Sequence, residues 1–367
     1  MRKIKFISFI LTATLCLGLF GGKVSALDVS ARSAVLIEAE TGKVLYEKDA
    51  YTRRPMASTT KIMTALVAIE SGNISREIAV DASAVGIEGS SIYLKAGDKI
   101  TLESLIWALM LESANDAAAA IAIGVAGSVE AFADMMNEKA RELGLCDTHF
   151  TNPHGLSDDN HYTTAHDLAR ISAAALENET FRRIVSTDKY RIEYGESVRS
   201  LHNHNKMLHI YEGAIGVKTG FTKASGRCLV SAAERDGMTL IAVTLGAPDD
   251  WADHTAMLDL GFSSVQRVSL IKPYESVFIS PCIGSESGEV TIKNRDGLSL
   301  ILSTDKGDVT RKIILPRYFW APVKEGDIVG KIEFYADAEK LGEVELYAEE
   351  TVDRIMYKRN FFERILK

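Results

Sequence analysis

Apolar and polar positions alternate first with a period of two and then with the longer period of a helix. Residues 33–38 and 43–47 are two β-rich runs separated by a turn that contains Gly42, which predicts a β-hairpin. Longer apolar stretches with helical spacing follow, and residues that favour helix ends bound them. The stretch 117–126 is almost wholly apolar yet too short to cross a bilayer, so it predicts a buried central helix. The predicted helices are 58–70, 101–111, 117–126, 129–144 and 164–176.

Two more apolar β runs, at 227–234 and 238–245, flank Arg235-Asp236-Gly237, a sequence typical of a tight hairpin. With the first hairpin they predict a central antiparallel sheet, accompanied by the predicted helices. From about residue 266 the pattern changes to short alternating runs separated by turn residues, without a helical period. The sequence therefore predicts an α+β or α/β domain at 27–265 and a small all-β domain at 266–350. The β runs of the second domain are 289–293, 298–302, 312–315, 328–335 and 342–347.

The two ends of the chain contain the segments from which we predict its cellular location. Three basic residues within the first five positions precede an uncharged run at 6–22 and a small-residue site, which is the layout of a secretory signal peptide at 1–26. We predict cleavage after Ala26 and export to the outer face of the cytoplasmic membrane, the cell wall or the periplasm. An uncleaved membrane anchor is the alternative. Residues 351–367 are basic and amphipathic, which predicts either a peripheral helix on the membrane surface, a helix packed on the protein or a frayed tail.

Charge and cysteine content narrow the possible partners. The 367 residues are 25% charged and 46% hydrophobic, as in an ordinary globular protein. Removing residues 1–26, which hold four basic and no acidic residues, changes the formal net charge from −8 to −12. This balance argues against nucleic acid as a partner. The remaining Cys146, Cys228 and Cys282 match neither a disulfide framework nor a zinc pattern, so free thiols are favoured over one pair.

Histidines offer only a weak metal signal. His202, His204 and His209 lie close together in the chain, but the H-x-H spacing has no carboxylate nearby in the sequence. We predict no metal site. His154 and His161 lie in predicted loops, and a structural role is the simpler interpretation for both.

Ser58 and Lys61 form an S-x-x-K motif at the start of the predicted helix 58–70. Residues three apart share one helix face, so the lysine can reach the serine hydroxyl. A serine becomes a strong nucleophile when a base removes its proton, and a lysine kept neutral by burial or a second cation can be that base. The positive end of the helix would also stabilise an oxyanion. The motif alone also occurs by chance.

Ser113 and Asn115 interrupt two predicted apolar helices. Such a polar pair needs hydrogen-bond partners or a function. The serine can pass a proton to a leaving group while the asparagine holds a substrate amide. Equally, the pair can serve as the N-cap of the following helix, and the sequence leaves both interpretations open.

Lys218-Thr219-Gly220 stands just before the second hairpin. The lysine offers a fixed positive charge, and the hydroxyls of Thr219 and Thr222 suit a substrate carboxylate. Gly220 lets a substrate backbone lie close to the strand edge. The alternative interpretation of this K-T-G triplet is a turn before a strand.

In the order S-x-x-K, S-x-N and K-T-G, the three motifs are those of penicillin-binding proteins and class A β-lactamases. The residues around them closely resemble the low-molecular-mass penicillin-binding proteins that are D-alanyl-D-alanine carboxypeptidases. The all-β domain and the basic tail are similar to that family's C-terminal module and membrane anchor, so the resemblance covers nearly all of the chain after residue 26. It implies the α+β fold of the penicillin-binding proteins and serine β-lactamases, a central antiparallel sheet with helices on both sides. The segments that carry the resemblance are 57–64, 112–117, 148–156, 161–165 and 216–222.

The resemblance also implies a mechanism. Ser58 attacks the carbonyl of the penultimate D-alanine of a peptidoglycan stem peptide, and Lys61 accepts its proton. The backbone N–H groups of Ser58 and Phe221 stabilise the oxyanion, and Ser113 with Lys218 passes a proton to the departing D-alanine. Water hydrolyses the acyl-enzyme, and β-lactams acylate Ser58 in the same way. No cofactor and no metal are implied.

Substrate binding is implied at the same motifs. Asn115 holds the peptide amide, and Thr219, helped by Thr222, binds the terminal carboxylate. Some family members carry an arginine after the strand that follows K-T-G, but residues 246–254 contain none here. Either Arg227 replaces it from the neighbouring strand or the threonines suffice, so carboxypeptidase and endopeptidase preference stay open.

Three hypotheses follow for the function. The favoured one is an exported serine-type D-Ala-D-Ala carboxypeptidase that β-lactams inhibit. The second is a D,D-endopeptidase or a β-lactamase on the same scaffold, and the β-lactamase is disfavoured because no acidic deacylating base can be assigned. The third is a catalytically silent cell-wall scaffold, against which the intact Ser58, Lys61 and Lys218 count.

Overall fold

The computed structural model describes residues 27–195 and 197–356. Helices and strands mix irregularly as far as residue 264, and strands follow from there. The helices are α1 (Lys61–Glu70), α2 (Leu102–Leu111), α3 (Asn115–Ala126), α4 (Val129–Glu142), α5 (Ala165–Glu177), α6 (Glu179–Val185), α7 (Met207–Ile210) and α8 (Asp250–Ser264). The strands of this part are β1 (Ser33–Glu38), β2 (Val44–Lys48), β3 (Glu77–Ala79), β4 (Lys99–Thr101), β5 (Lys189–Tyr194), β6 (Ser197–His202), β7 (Ala214–Thr222), β8 (Gly226–Arg235) and β9 (Met238–Leu245).

Five antiparallel strands form the central sheet, in the order β2-β1-β9-β8-β7. The hairpin predicted around Asp236 joins β8 to β9, with Arg235 opposite Met238. The predicted hairpin β1–β2 is also present. β7 lies at the edge of the sheet and leaves one side of its backbone free for other contacts. Two further hairpins, β3–β4 and β5–β6, pair outside this sheet.

The sheet is buried on both faces, which explains the continuous apolar runs of its inner strands. Successive residues of β1 alternate between two cores, with Val35 in one and Leu36 in the other. The larger core joins one face to α1 through α6. The smaller core joins the opposite face to α8 and to Val29 and Ala31. The predicted α+β fold, with helices on both sides of an antiparallel sheet, is confirmed.

The sequence pattern did not predict α8, and the reason is its polar buried face. Asp253 and His254 point into the protein with Met257 and Leu258, so apolar periodicity is broken. The His254 ring is fully buried between the hydroxyls of Ser231 and Thr244, on β8 and β9. Burial lowers the pKa of His254 to about 3, so the ring is neutral when it joins helix to sheet.

Strands alone make up the C-terminal part. Six of them form one sheet, in the order β14-β16-β17-β12-β11-β15, while β10 pairs with β13. The predicted all-β character is confirmed, and the domain boundary at residue 265 stays a prediction. The strands are β10 (Val265–Ile271), β11 (Val277–Ile283), β12 (Glu289–Asn294), β13 (Leu298–Ser303), β14 (Thr310–Ile314), β15 (Phe319–Trp320), β16 (Ile328–Ala336) and β17 (Glu339–Ala348).

The beginning of the predicted tail helix differs from expectation. Residues 351–356 are not helical: Val352 pairs with Val323 in an isolated antiparallel bridge and is buried in the core of the all-β part. Ile355 N–H donates to the Gly284 carbonyl at 2.7 Å. These contacts take Val352 away from the amphipathic face to which the sequence assigned it. The rest of the predicted tail helix, 357–367, and the predicted signal peptide, 1–26, lie outside the described residues.

Within 27–195 and 197–356, no single helix combines the length and the apolar character needed to cross a membrane; α3 and α4 meet that test only as a pair bent by 84°. The three cysteines of this part are free, with Cys146 exposed and Cys228 and Cys282 buried.

Candidate active site

The predicted nucleophile lies on a 3₁₀ turn and not in the first turn of a helix. Ala57–Thr60 forms this turn, and α1 begins only at Lys61. Ala57 has a φ of 49°, in the left-handed region, and Gly155 packs directly on its carbonyl. A Cβ at Gly155 would lie 1.9 Å from that oxygen, so only glycine fits. The turn buries Thr59 and Thr60 and leaves Ser58 partly exposed.

The Lys61 side chain is fully buried beneath Ser58. Its Nζ lies 3.0 Å from Ser58 Oγ, 2.7 Å from Asn115 Oδ1 and 2.7 Å from the His154 carbonyl oxygen. The last two oxygens can only accept hydrogen bonds. In a neutral amine they would take both N–H donors, and the lone pair would then face the Ser58 hydroxyl. The geometry is that of a base prepared to remove the serine proton.

Burial and charge together favour that neutral form. Desolvation, with the neighbouring charge of Lys218, holds the pKa of Lys61 well below its ordinary value, and Asp116 opposes the shift. Lys218 is also buried, and its Nζ donates to the Thr219 carbonyl at 3.1 Å. Desolvation lowers the pKa of Lys218 to about 7, against a raising influence from Glu112.

The turn that supplies the His154 carbonyl comes from the segment 148–156. Asn152 Oδ1 accepts from the backbone N–H groups of His154 and Gly155, which shapes the turn. The Pro153 carbonyl, one residue earlier, accepts from the Thr64 hydroxyl on α1 at 2.7 Å. The segment therefore presents two successive carbonyls to α1.

His161 supports the nucleophile turn from below. Thr151 N–H donates to its Nδ1 at 3.1 Å, so its Nε2 carries the proton and donates to Thr60 Oγ1 at 2.7 Å. Burial lowers the pKa of His161 to about 4 and that of His154 to about 3. Both imidazoles are thus neutral near pH 7, in agreement with their predicted structural roles.

The S-x-N corner lies between α2 and α3. Ser113 has a φ of 59°, and the N-cap of α3 is Ala114, which makes no side-chain capping bond. The capping interpretation is therefore wrong. The side-chain Nδ2 of Asn115 donates to the Glu88 carbonyl, and the backbone N–H of Asn115 donates to the Ser90 carbonyl. With Oδ1 on Lys61, the asparagine keeps one N–H and one lone pair for a substrate.

Asp116 is a site residue that the sequence analysis missed. Its side chain is buried and accepts from Ser91 Oγ at 2.6 Å and from the N–H groups of Ile92 and Leu94 at 3.2 and 3.0 Å. These bonds fix the segment 88–94 against α3, and this segment carries the Glu88 and Ser90 carbonyls. An Asp directly after S-x-N was the available signal, but nothing nearby in the sequence indicated its partners.

The K-T-G residues form part of the edge strand β7, which packs on the nucleophile turn. A Cβ at Gly220 would lie 2.9 Å from Ser58 N and 3.1 Å from Thr59 N. The glycine therefore lets β7 approach the backbone of the nucleophile turn. The sequence had predicted instead that it makes room for a substrate backbone. Thr222 differs from expectation, because its Oγ1 lies 2.9 Å from Ser225 Oγ in the turn between β7 and β8.

A cleft of about 440 Å³ opens above Ser58. It brings together six of the predicted site residues. Lys61, Asn115, Lys218 and Thr222 are not among its lining residues, and the first three are buried. The predicted residues that line the cleft are Ser58, Ser113, Thr219, Gly220, Phe221 and Arg227, and the unpredicted ones are Ser90, His204, Lys206, Asp250 and Trp251.

Arg227 reaches the cleft as a member of an ion pair. It lies opposite Phe221 across β7 and β8, and its Nη2 donates to Asp250 Oδ1 at 2.7 Å. Its Cζ is 5.7 Å from the centre of the Trp251 ring. The sequence analysis noted the lack of an arginine at 246–254 but did not predict that this segment supplies the partner of Arg227.

The histidines near the cleft have carboxylate neighbours that the sequence did not indicate. His202 Nδ1 and His204 Nε2 lie 3.7 and 3.4 Å from the Glu112 carboxylate. His209 Nε2 lies 2.9 Å from Asp188 instead. Among the described side chains, no group of three or more His, Cys, Asp or Glu is arranged to hold a metal ion.

Comparison with protein families places these motifs in context. The family model for D-alanyl-D-alanine carboxypeptidase matches residues 21–249, more than half of the chain. The chain belongs to the D-alanyl-D-alanine carboxypeptidase family. A second model, for the C-terminal domain of penicillin-binding protein 5, matches residues 283–354. The predicted resemblance is confirmed for both parts of the chain.

Members of this carboxypeptidase family resemble the chain over most of its length. D-alanyl-D-alanine carboxypeptidase DacF of Bacillus subtilis is 34% identical over 345 residues, which cover 91% of this chain and 89% of the relative. Penicillin-binding protein 5 of Haemophilus influenzae superposes with a TM-score of 0.70 at 25% identity, over 90% of this chain and 100% of its own. The Streptomyces K15 DD-transpeptidase superposes with a TM-score of 0.62 at 35% identity, over 65% of this chain and 99% of its own.

Proposed function

We propose that this chain is a serine-type D-Ala-D-Ala carboxypeptidase that removes the terminal D-alanine from peptidoglycan stem peptides. The observation that carries the proposal is the buried Lys61 amine, 3.0 Å from Ser58 Oγ at the base of a cleft that Thr219 and Gly220 line. The reaction consumes water and yields a shortened peptide and free D-alanine. It passes through an ester on Ser58.

In the first half of the reaction, Ser58 Oγ attacks the carbonyl carbon of the penultimate D-alanine while its proton moves to Lys61 Nζ. The oxyanion that forms is stabilised by the backbone N–H groups of Ser58 and Phe221, which the close packing at Gly220 supports. The C–N bond then breaks. The leaving nitrogen takes a proton from the Ser113 hydroxyl, and Ser113 recovers one from the Lys61 ammonium with Lys218 beside this relay. Lys61 is therefore neutral again when D-alanine leaves.

In the second half, water attacks the ester carbonyl and gives its proton to Lys61. The ester C–O bond breaks, Ser58 Oγ regains a proton, and the shortened peptide leaves. Both halves need a neutral Lys61 at their start, so the lowered pKa of this lysine is essential to the cycle. Thr219 and Arg227 are positioned at the cleft to meet the terminal carboxylate of the substrate.

The experiment that tests the proposal is covalent labelling of the chain 27–367 with a fluorescent penicillin. We expect a stable label that Ser58→Ala abolishes and that Ser83→Ala, in a different 3₁₀ turn, leaves unchanged. Release of D-alanine from a pentapeptide ending in D-Ala-D-Ala should follow the same pattern. Absence of label from the unsubstituted protein would favour a silent scaffold, and labelling that survives in Ser58→Ala would mean that another serine reacts.

A β-lactamase is the second candidate on this scaffold. Among the described residues that line the cleft, Asp250 is the one carboxylate, and it is engaged by Arg227. A carboxylate free to activate water against the penicilloyl ester is therefore lacking on that surface. We expect penicillin to stay on Ser58, and its rapid hydrolysis in the same labelling experiment would instead support the β-lactamase.

We also propose that the protein is exported and acts at the outer face of the cytoplasmic membrane. Support comes from the signal-like sequence of residues 1–26 and from the basic amphipathic sequence 351–367. The mass of the exported protein checks the first point. A chain that still carries residues 1–26 would indicate an uncleaved membrane anchor.

A further inference from the structure

The cation beside the carboxylate position of this cleft is already paired. The Arg227 side chain is 43% exposed at the cleft, while the Asp250 side chain that it contacts is only 4% exposed. Asp250 is the first residue of α8, where backbone N–H groups favour a negative charge. The Asp250 carboxylate therefore lies beside both an arginine and the N-terminal end of a helix.

We infer that Asp250 is a specificity-determining residue, because it partly neutralises Arg227 and so weakens the preference of the cleft for substrates with a free terminal carboxylate. The inference deepens the proposed function and rests on it. It identifies a substrate class: stem peptides whose terminal D-alanine carries an amide-linked substituent, as at a peptide cross-link, are discriminated against less strongly than an unpaired arginine would allow.

Arg227 and Asp250 carry opposite charges on the surface of the cleft. Thr219 and Phe221 are two residues apart on β7 and so lie on the same face of the sheet. Arg227 lies opposite Phe221 on β8 and shares that face, so the arginine borders the strand that binds the substrate terminus. One N–H of the guanidinium donates to Asp250, and its other N–H groups can donate to the substrate. A free carboxylate meets both the cation and the anion behind it, and part of the attraction is cancelled. A neutral terminal amide is nearly insensitive to that balance.

Lys206 is the other Lys or Arg side chain among the described residues that line the cleft, and no described carboxylate lies within salt-bridge distance of it. The compensation is therefore particular to Arg227. Asp249, next to Asp250 in the chain, is exposed and its side chain makes no capping bond. It offers a matched control, because removing its charge changes the net charge equally without touching Arg227.

The test compares two substrates, diacetyl-L-lysyl-D-alanyl-D-alanine and its C-terminal amide, and measures kcat/KM for release of D-alanine and of D-alaninamide. We expect Asp250→Asn to raise the ratio of free-acid to amide turnover roughly fivefold, mainly through a lower KM for the free acid. Asp249→Asn should leave the ratio unchanged. In an Arg227→Ala background the ratio should fall, because the remaining Asp250 charge then repels the free acid, and adding Asp250→Asn should remove that repulsion.

An unchanged ratio in Asp250→Asn would overturn the inference. So would a parallel loss of both activities, since that would mean the carboxylate positions the site and does not balance its charge. A ratio that does not fall in Arg227→Ala would also overturn it, because the substrate carboxylate would then not respond to the guanidinium that Asp250 neutralises. Failure of the unsubstituted protein to be acylated by penicillin at Ser58 would overturn the proposed function itself, and the inference with it.

Discussion

At the scale of single residues, the site uses two buried lysines that differ in how firmly they are held. Lys61 contacts three oxygens, whereas the one hydrogen bond described for the Lys218 amine is to the Thr219 carbonyl. Burying a weakly bonded amine costs stability, which a protein accepts at a functional position. Lys218 is thus the residue where function and stability should oppose each other most clearly.

We expect Lys218→Met to stabilise the fold at pH 7 by roughly 1–2 kcal/mol while slowing penicillin acylation. The pKa of Lys218 is about 7 in the folded protein, well below its unfolded value. Between these two values the unfolded chain binds one more proton, so Lys218 makes stability rise with pH by about 1.4 kcal/mol per pH unit. Below pH 7 its penalty is full and constant.

Urea unfolding of both proteins at pH 7 and pH 9 checks this prediction. The advantage of the methionine variant should shrink as the pH rises, because the folded lysine is neutral at pH 9 and removing its proton on folding costs less free energy there. An advantage that is equal at both pH values would show that Lys218 is not the group that titrates.

At the scale of secondary-structure elements, the cleft depends on how α3 holds the segment 88–94. Asp116 makes this connection with a fully buried carboxylate that accepts from Ser91, Ile92 and Leu94. We expect Asp116→Asn to lower the free energy of unfolding by roughly 2–3 kcal/mol, because one acceptor becomes a donor that faces other donors. Acylation should slow as well, since Asn115 is held by the same segment.

Asp98→Asn provides the matched control for this change. Asp98 accepts one exposed hydrogen bond, from Lys95 N–H, and we expect its substitution to alter stability by less than about 0.5 kcal/mol. Equal effects of the two substitutions, in urea unfolding and in acylation rate, would contradict the special role of Asp116.

Elements with a clear apolar period could be predicted from the sequence, and those without one could not. Helices α2 to α5 and the hairpins β1–β2 and β8–β9 were predicted nearly at their observed bounds. The short helix α6 and the edge strand β7 were not predicted, and K-T-G, expected before the strand pair, lies within β7. Helix α8 was missed because its buried face holds Asp253 and His254. Asp250 is the first residue of α8, so the ion-pair partner of Arg227 was missed together with the helix.

The same limit applies within the site. Ser58 and Lys61 could be predicted because their chemistry depends on their side chains and their spacing. The carbonyls of Glu88 and His154 could not, since every residue has a carbonyl and only the fold determines where it points. Thr222 was assigned to the substrate for its hydroxyl near Thr219 and for the family resemblance, but a local turn engages that hydroxyl.

At the scale of the whole molecule, the structure locates where an anchor could begin. Residues 351–356 belong to the all-β part, because Val352 is buried in its core and Ile355 is bonded to Gly284. The proposed membrane-binding segment is therefore expected beyond Ile355, the last residue bonded to the all-β part among those described. The remaining eleven positions, 357–367, hold four basic residues and one acidic residue.

We expect a chain ending at Met356 to keep its penicillin acylation rate and its thermal stability but to leave the membrane fraction, because electrostatic and apolar attraction to lipid is lost together. Sedimentation with vesicles that contain anionic lipid measures the binding. A full-length variant with Lys358, Arg359, Arg364 and Lys367 changed to Gln should bind such vesicles weakly and neutral ones no worse than before. Full binding of the shortened chain would place the anchor elsewhere.

The surroundings of Lys61 also make the chain a reporter of its own folding. Its partners Asn115 and His154 stand 54 and 93 positions away, and the strand that closes over Ser58 comes later still. In an unfolded chain the amine is solvated, protonated and unable to act as a base. A refolding or newly made polypeptide is therefore not acylated by penicillin until β7 has packed on the Ser58 turn. The time at which labelling begins marks the assembly of the domain.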